Sequence, residues 1–531
     1  MKVRTMRGAA GARPRRRGGA AVVLLAGAAL AGAGAQPAVA APTWLPPADL
    51  SGGAASAAGL GVSARGEATA VWRRSDGSNQ VVQSSTRPVG GAWGAPVTLS
   101  ASGQDAGPPT VAVEPGGDAL AAWSRFDGAD DRVQVAERAS GGGWGAPVTV
   151  SSAGVDATGG TARLGSGGDA AVGWLQGGDL VVAVRPSGGG WGTPVTVSTA
   201  GTPITHGSDL TVDGAGNVTA VWIGEDAAGN DVVHGATRPA GGAWSRPVAI
   251  SPARTDTMDV RAAVGANGDV VAIWQALVPS GYSRPWDWTR AVYTADLPSG
   301  GSWSAPVQVA RPGFQSVAYR PDVAIGPDGD AAATWWEQGA STGMVLAATR
   351  PAGGAWSAPT WLDNGVDPRV AIGGDGAVMV AWALTGLAGG VSASTLAPGG
   401  SWSSPATVSA DGVAPQLAAD GQGNVTTLWR GPSGASTDVV RAAGYDAAGP
   451  LLDGLTVPAT ATAGTPVAVS VRPLDVWSPP VTTDWAFGDG GTATGDSASH
   501  VYTAPGSYDV VVTSTDAIGN TTVERRTVVV S

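Results

Sequence analysis

The side chains best suited to grip a ligand are concentrated in two short stretches of this 531-residue chain. ALVPSGYSRPWDWTR (276–290) carries Tyr282, Arg284, Trp286, Asp287, Trp288 and Arg290, and ARPGFQSVAYR (310–320) adds Phe314, Tyr319 and Arg320. Trp336, Glu337 and Trp361 follow. Aromatic faces flanked by guanidinium and carboxylate groups suit sugar rings, whose apolar faces are edged by hydroxyls. They equally suit the anchor residues of a protein partner. The competing use of the same side chains is to fold back and pack the long loops that carry them.

Catalytic chemistry is harder to place. The chain has 3 His and no Cys, so His206, His234 and His500 offer no zinc-ligand spacing. Neither His206 nor His234 stands beside a Gly-x-Ser-x-Gly elbow, and no phosphate-cradling loop or dinucleotide fingerprint occurs. Catalysis, if present, rests on carboxylates, and acids that meet from distant segments leave no local trace. No catalytic residue, metal ligand or cofactor is assigned. Asp489 and Asp516 are turn acids without a spaced ligand set for Ca²⁺.

The elements that carry the aromatic stretches are repeats. A tryptophan followed three residues later by proline recurs at Trp44, Trp93, Trp144, Trp191, Trp244, Trp303, Trp356 and Trp402. Between these, a glycine turn leads into an alternating run ending in Trp72, Trp123, Trp174, Trp222, Trp274, Trp335, Trp382 or Trp429. One period, 109–151, reads as four strands: PTVAV, ALAAWSR, RVQVAER and WGAPVTVS, joined by glycine-rich turns. Four antiparallel strands per period mark a β-propeller blade, and eight copies predict eight blades. The mature chain opens on TWLPPADLS (43–51), which aligns with the fourth strand AWGAPVTLS (92–100), while the last copy lacks that strand. Complementary ends predict a ring closed by the N-terminal strand, leaving no free sheet edge.

Within this frame the two aromatic stretches become neighbours. Residues 276–290 join the second and third strands of repeat five, and 310–320 enter repeat six. Connections of both kinds emerge on one face of a propeller, so both decorate the same mouth. The arginines Arg87, Arg138, Arg185, Arg238 and Arg350 instead recur before each Gly-Gly-Trp hairpin, as structural stems lying beside the tryptophan with an optional cation–π contact.

Residues 1–40 read as a secretory signal: a basic start, an apolar run over 18–35 and Ala38-Val39-Ala40 as a small-residue cleavage site. Its removal takes away seven positive charges, so the formal charge of −11 becomes −18 in the mature chain. That balance speaks against nucleic acid as a partner. After cleavage no membrane segment is expected, and without Cys the exported fold depends on packed area and strand pairing alone.

Hairpins such as GGAWSAP (353–359) resemble the Asp-box hairpins of secreted propellers of the sialidase-like superfamily, which set an aromatic after a glycine turn between third and fourth strands. The Asp-box acid and hydroxyl are mostly missing and eight copies exceed that family's six, so the resemblance implies architecture without chemistry. From Gly449 the period stops. WAFGDGGTATGDSASHVYTAPGSYDVVVTSTDAIGN (485–520) resembles the PKD domain, an immunoglobulin-like sandwich, which implies that Trp485 and Phe487 are core and Gly488-Asp489-Gly490 a hairpin turn.

The expected organisation is all-β: signal peptide 1–40, eight-bladed propeller 41–448, PKD domain 449–531. The expected function is that of a secreted, monomeric, non-catalytic binding or scaffold protein. It would recognise extracellular polysaccharide or a protein surface through Tyr282, Arg284, Trp286, Asp287, Trp288, Arg290, Tyr319, Arg320, Trp336, Glu337 and Trp361. The alternative is a polysaccharide hydrolase or lyase of sialidase-like descent, whose mark would be a cluster of non-periodic acids and arginines at the mouth. A third reading is a structural surface protein with no ligand.

Overall fold

Runs such as ATAVW, ALAAW and VVAIW are apolar at nearly every position, the pattern of strands covered on both faces. The computed structural model describes residues 42–531 except 200–201, 227, 253–254, 280–287, 314–315, 339–342, 387–388 and 434–436, and every regular element described is a strand. Sheet one joins Ala55–Val62, Ala68–Ser75, Gln80–Arg87 and Val97–Thr98, and six further four-stranded antiparallel sheets follow. Sheet eight contains Val413–Ala419, Val425–Ser433 and Thr437–Asp446. Its third strand pairs with the N-terminal Thr43–Trp44 and Ala48–Asp49, so that Trp44 faces Tyr445 and Ala48 faces Ala442.

The second strand of each sheet is buried between the neighbouring sheets. Its tryptophan, from Trp72 through Trp429, is at most 2% exposed. At one junction Leu120 and Val135 of sheet two meet Trp174 and Val181 of sheet three, and the hairpin residue Trp191 packs onto them. The pairing repeats: Trp123 with Trp144, Trp222 with Trp244, Trp274 with Trp303, Trp335 with Trp356, Trp382 with Trp402 and Trp429 with Trp44. An eighth cluster brings Leu428 and Val440 of sheet eight against Ala70 and Trp72 of sheet one, with Trp93 packed on it. The outermost strands are brief, only Val97–Thr98 in sheet one, because the preceding Pro96 has no N–H to donate and is tolerated only at a sheet edge.

Residues after the last repeat form a three-stranded and a five-stranded sheet. Their shared core holds Val467, Val469, Trp485, Phe487, Tyr502 and Val510, which places Trp485 of the strand Pro480–Ala486 and Phe487 just past its end on the inside.

Each hairpin tryptophan thus seals a junction between sheets. Truncating Trp93→Ala is expected to lower unfolding stability by about 3 kcal/mol, read by urea denaturation, since a large aromatic leaves a cavity its neighbours only partly fill.

Candidate functional site

The first strand of seven of the eight sheets carries an irregularity at one fixed place. Pairing with the second strand shifts register between Thr158 and Thr161, Ile204 and Ser208, Met258 and Arg261, Tyr319 and Asp322, and Val366 and Arg369. Sheets one and eight shift at the equivalent point. A bulge of this kind needs one residue with left-handed backbone, which glycine adopts freely and other residues adopt at a cost of roughly 1–3 kcal/mol. Sheets three and four use Gly159 and Gly207. Sheets five, six and seven use Asp259, Arg320 and Asp367, with φ of 54°, 46° and 53°. Together with Ala57 and Ala414 these are all the non-glycine residues of positive φ among the described residues, and all five sit at this one bulge.

Two residues after each bulge lies a second charge: Arg261, Asp322 and Arg369 in the same three sheets, and Asp209 in sheet four. The acids tie first strands together. Asp209 accepts the Ala262 N–H at 3.1 Å and Asp322 accepts the Val370 N–H at 3.1 Å, as Thr110 accepts Ala162 at 2.9 Å. Asp209 also pairs with Arg163. The arginines stay available. Arg261, Arg320 and Arg369 line a single cavity of 290 Å³ with His206, Ser208 and Asp259. Arg261 and Arg369 also line a second cavity of 210 Å³ further along the strands, with Arg163, Asp322 and Gln416.

Of the three arginines only Arg320 is held by a carboxylate, Asp367 at 2.9 Å. Among the described residues no acid lies within ion-pair distance of Arg261 or Arg369. Burial draws the Arg369 guanidinium below its usual value, a trend that Asp322 and Asp367 oppose and Arg261 reinforces. Asp259 accepts from Gln275 at 2.6 Å, and His206 stands 3.2 Å from Asp231, which Thr205 also holds. Two guanidinium groups without counter-ions, on a wall braced by bulges, suit a carboxylate or sulfate ligand held by bidentate hydrogen bonds.

The aromatic residues singled out in the sequence are distributed around this cavity unevenly. Tyr319 stacks on Trp336 at 4.7 Å, and the Arg290 guanidinium lies over Tyr319 at 5.6 Å. This trio adjoins Arg320 where sheet five meets sheet six. Trp288 is 51% exposed beside Pro279 on the same extended hairpin. Glu337 is turned inward, accepting from Trp335 Nε1 and Ser316 Oγ, both at 3.1 Å. Trp361 lies on the outermost strand of sheet six, facing Leu346 and 57% exposed, away from the first strands that line the cavity. Tyr282, Arg284, Trp286, Asp287 and Phe314 fall outside the described residues.

His206, Asp259, Arg261, Asp367 and Arg369 were not among the sequence candidates. Their signal is nonetheless printed in the chain as Asp-x-Arg, Arg-x-Asp and Asp-x-Arg at 259–261, 320–322 and 367–369. Other hollows lack such chemistry. A groove of 160 Å³ between the turns of sheets four and five recurs between sheets five and six, which marks it as a product of the repeat.

Residues 447–530 match the family model of the PKD domain, so the chain is a propeller-type repeat followed by a PKD domain. No curated protein matches the chain. Among solved structures it is similar to a protein of unknown function from Dyadobacter fermentans, at 13% identity over 76% of this chain and 98% of that one, with a TM-score of 0.40. It is also similar to an ulvan lyase of polysaccharide lyase family 25 bound to a glucuronate–sulfated rhamnose disaccharide repeat, at 10% identity over 64% and 93% of the two chains and a TM-score of 0.41. A third is an α-L-arabinofuranosidase from Fusarium graminearum with an iminosugar inhibitor, at 14% identity over 67% and 98% and a TM-score of 0.39.

The bulge gives a direct test of pre-organisation. Arg320→Gly is expected to leave stability unchanged or raise it by up to about 1 kcal/mol in urea denaturation, since glycine relieves the left-handed backbone and the exposed ion pair with Asp367 contributes little. A clear loss of stability would mean that Arg320 is there for the fold.

Proposed function

We propose that the mature chain is an exported eight-bladed propeller, closed by its N-terminal strand, that binds acidic extracellular polysaccharide at the mouth formed by sheets four to seven. Closure is supported by the number of junctions: eight sheets in an open row share seven, whereas here eight tryptophan-sealed clusters are found, the eighth between sheets eight and one. The ligand reading rests on one observation, the convergence of Arg261, Arg320 and Arg369 on a single cavity.

The chain as a whole is acidic, with a formal charge of −11. Non-specific attraction of polyanions is therefore opposed everywhere except where arginines gather, and binding has to be local. The half-buried stack of Tyr319 on Trp336, next to Arg320 in the chain, offers an aromatic surface for a sugar ring. A cavity of 290 Å³ lies at the lower end of the roughly 300–1,000 Å³ usual for small-ligand sites. That is room for one charged sugar unit with the remainder of the chain outside.

The test is affinity electrophoresis of the mature protein in gels containing polygalacturonate, a sulfated glycan or neutral dextran. Retardation is expected in the two acidic gels only, weakening with added salt. Arg261→Ala and Arg369→Ala are each expected to weaken binding by about tenfold or more, the equivalent of losing a charge-assisted hydrogen bond. Equal retardation by dextran, or arginine variants that bind like the parent, would remove this reading.

One observation favours a second reading, that the site also breaks the glycan it holds. His206, beside Asp231, shares the cavity wall with the arginines. Guanidinium groups on a uronate carboxylate make the adjacent C5–H more acidic, and an imidazole oriented by a carboxylate is suited to remove that proton. The C4–O bond to the next sugar then breaks as the C4–C5 double bond forms, and the departing oxygen takes up a proton from the imidazolium or water. Ultraviolet absorbance from an unsaturated uronate product, lost in His206→Ala while binding persists, would establish a lyase. Binding without product leaves the protein a lectin-like module.

A further inference from the structure

Arg87 departs from its periodic counterparts. Arg138, Arg185 and Arg350 lie 5.9, 5.9 and 5.0 Å over the tryptophans of their own repeats, Trp144, Trp191 and Trp356. The Arg87 guanidinium instead lies 3.6 Å over Trp477, a residue of the PKD domain, and donates to the carbonyls of Val476 and, at 3.0 Å, Gly66. Arg87 is only 2% exposed. The PKD domain is therefore seated on the propeller and does not hang from it as a free spacer.

The seat spans one particular junction. Val476 fills a notch at Gly66 of sheet one, where a Cβ would lie 2.7 Å from both valine methyls. Trp477 covers Gly444 of sheet eight, where a Cβ would lie 2.3 Å from the indole. The two glycines exist where any side chain would push the loop out. Close by, the Gly421 N–H of sheet eight donates to the Ala64 carbonyl of sheet one at 2.9 Å. Loop 475–478 is thus wedged across the place where the first and last sheets of the chain meet.

Three carboxylates are shut in behind this loop. Asp446 of sheet eight, Asp475 of the loop and Asp516 of a PKD turn are all buried, with oxygens within 4.8 Å of one another. Asn520 donates to Asp446 at 3.1 Å and Asp516 at 3.0 Å, Ser478 Oγ donates to Asp446, and the Trp477 and Ser478 N–H groups donate to Asp475 at 2.8 and 2.6 Å. Arg87 is the cation that faces Asp475, and Asp420 of sheet eight adds a further negative group. Four acids against one arginine is an arrangement that full ionisation makes unfavourable.

We propose that the PKD domain is a proton-dependent clasp on the junction of sheets eight and one, seated while the carboxylate cluster retains a proton and loosened as the cluster ionises. Burial, reinforced by the neighbouring carboxylates, pushes Asp475 up to about 7 and Asp446 up to about 6. Burial likewise raises Asp420, and it lowers Arg87 to about 10, which leaves the guanidinium charged. A carboxyl group freed into solvent returns to an ordinary value near 3.8. Between those limits the seated form binds more protons than the released form, so seating weakens as pH rises from about 4 to about 7 and changes little above. The short link between Asp446 and Leu451 keeps a released domain close, so the clasp re-forms on acidification.

The experiment uses the mature chain in EDTA-containing buffers from pH 5 to pH 8, comparing the parent with Asp475→Asn by thermal melting and small-angle X-ray scattering. The asparagine keeps an oxygen for the Trp477 and Ser478 N–H groups and cannot ionise. The two proteins are expected to melt alike at pH 5, and the variant to melt a few degrees higher at pH 8. The parent's radius of gyration is expected to grow at pH 8 while the variant's does not. Melting curves that run parallel at every pH, or a parent whose dimensions never change, would overturn the clasp. Should Asp475→Asn fail to fold, Asp446→Asn carries the same comparison, and the parent's scattering tests the proposal alone.

Discussion

Everything in this structure depends on the contact between neighbouring sheets, in which one tryptophan from a second strand and one from a third-to-fourth hairpin share a single apolar cluster. Each indole removes roughly 150–250 Å² from water, equivalent to several kcal/mol at about 25 cal/mol per Å². Two such side chains per junction, repeated at every junction, replace the disulfides that a cysteine-free chain cannot form. Because each sheet touches only its neighbours, stability is a sum of similar local terms. The outermost strand needs only to deliver its tryptophan, which is why two paired residues suffice in sheets one to four.

That division of labour frees the first strand. With the sheets held together further out, the first strands can bulge, hold charged side chains and carry guanidinium groups that, among the described residues, have no carboxylate at ion-pair distance. Backbone strain at Asp259, Arg320 and Asp367 is tolerable only because the surrounding packing over-determines it. The hydrogen bonds that Asp209 and Asp322 accept from backbone N–H groups of the next sheet add a polar inner tie where no tryptophan reaches.

The periodic part of the molecule was legible in the sequence because it is written in large residues at fixed spacing. The tryptophans, the glycine turns and the complementary ends identified the sheets and the joining of the N-terminal strand to the last of them, where the structure sets Trp44 opposite Tyr445. Of the periodic arginines, Arg138, Arg185 and Arg350 lie over the tryptophans of their own repeats, and no such contact is found for Arg238 among the described residues. Arg87 turns to Trp477, which was not legible because nothing in the repeat announces that another domain supplies its ring. The candidate site was half legible. Tyr319, Trp336 and Arg290 do come together, Arg320 of the cavity turns to Asp367, and Glu337 is drawn inward by the Trp335 indole and Ser316. Arg261 and Arg369 stayed hidden for a geometric reason: a bulge inserts one residue, so strict alternation assigns the charges after it to the wrong face. Aligning the repeats on their tryptophans, one strand away, concealed the charge pattern that aligning on the bulge displays.

The bulge has a consequence for how such a protein can change. Its residue belongs to none of the inter-sheet clusters and tolerates glycine, alanine, aspartate or arginine in different copies of one chain. A substitution there alters what the centre of the propeller presents without touching what holds it together. Seven of the repeats therefore each carry one interchangeable position on their first strand, and its chemistry can change by single substitutions while the scaffold stays constant.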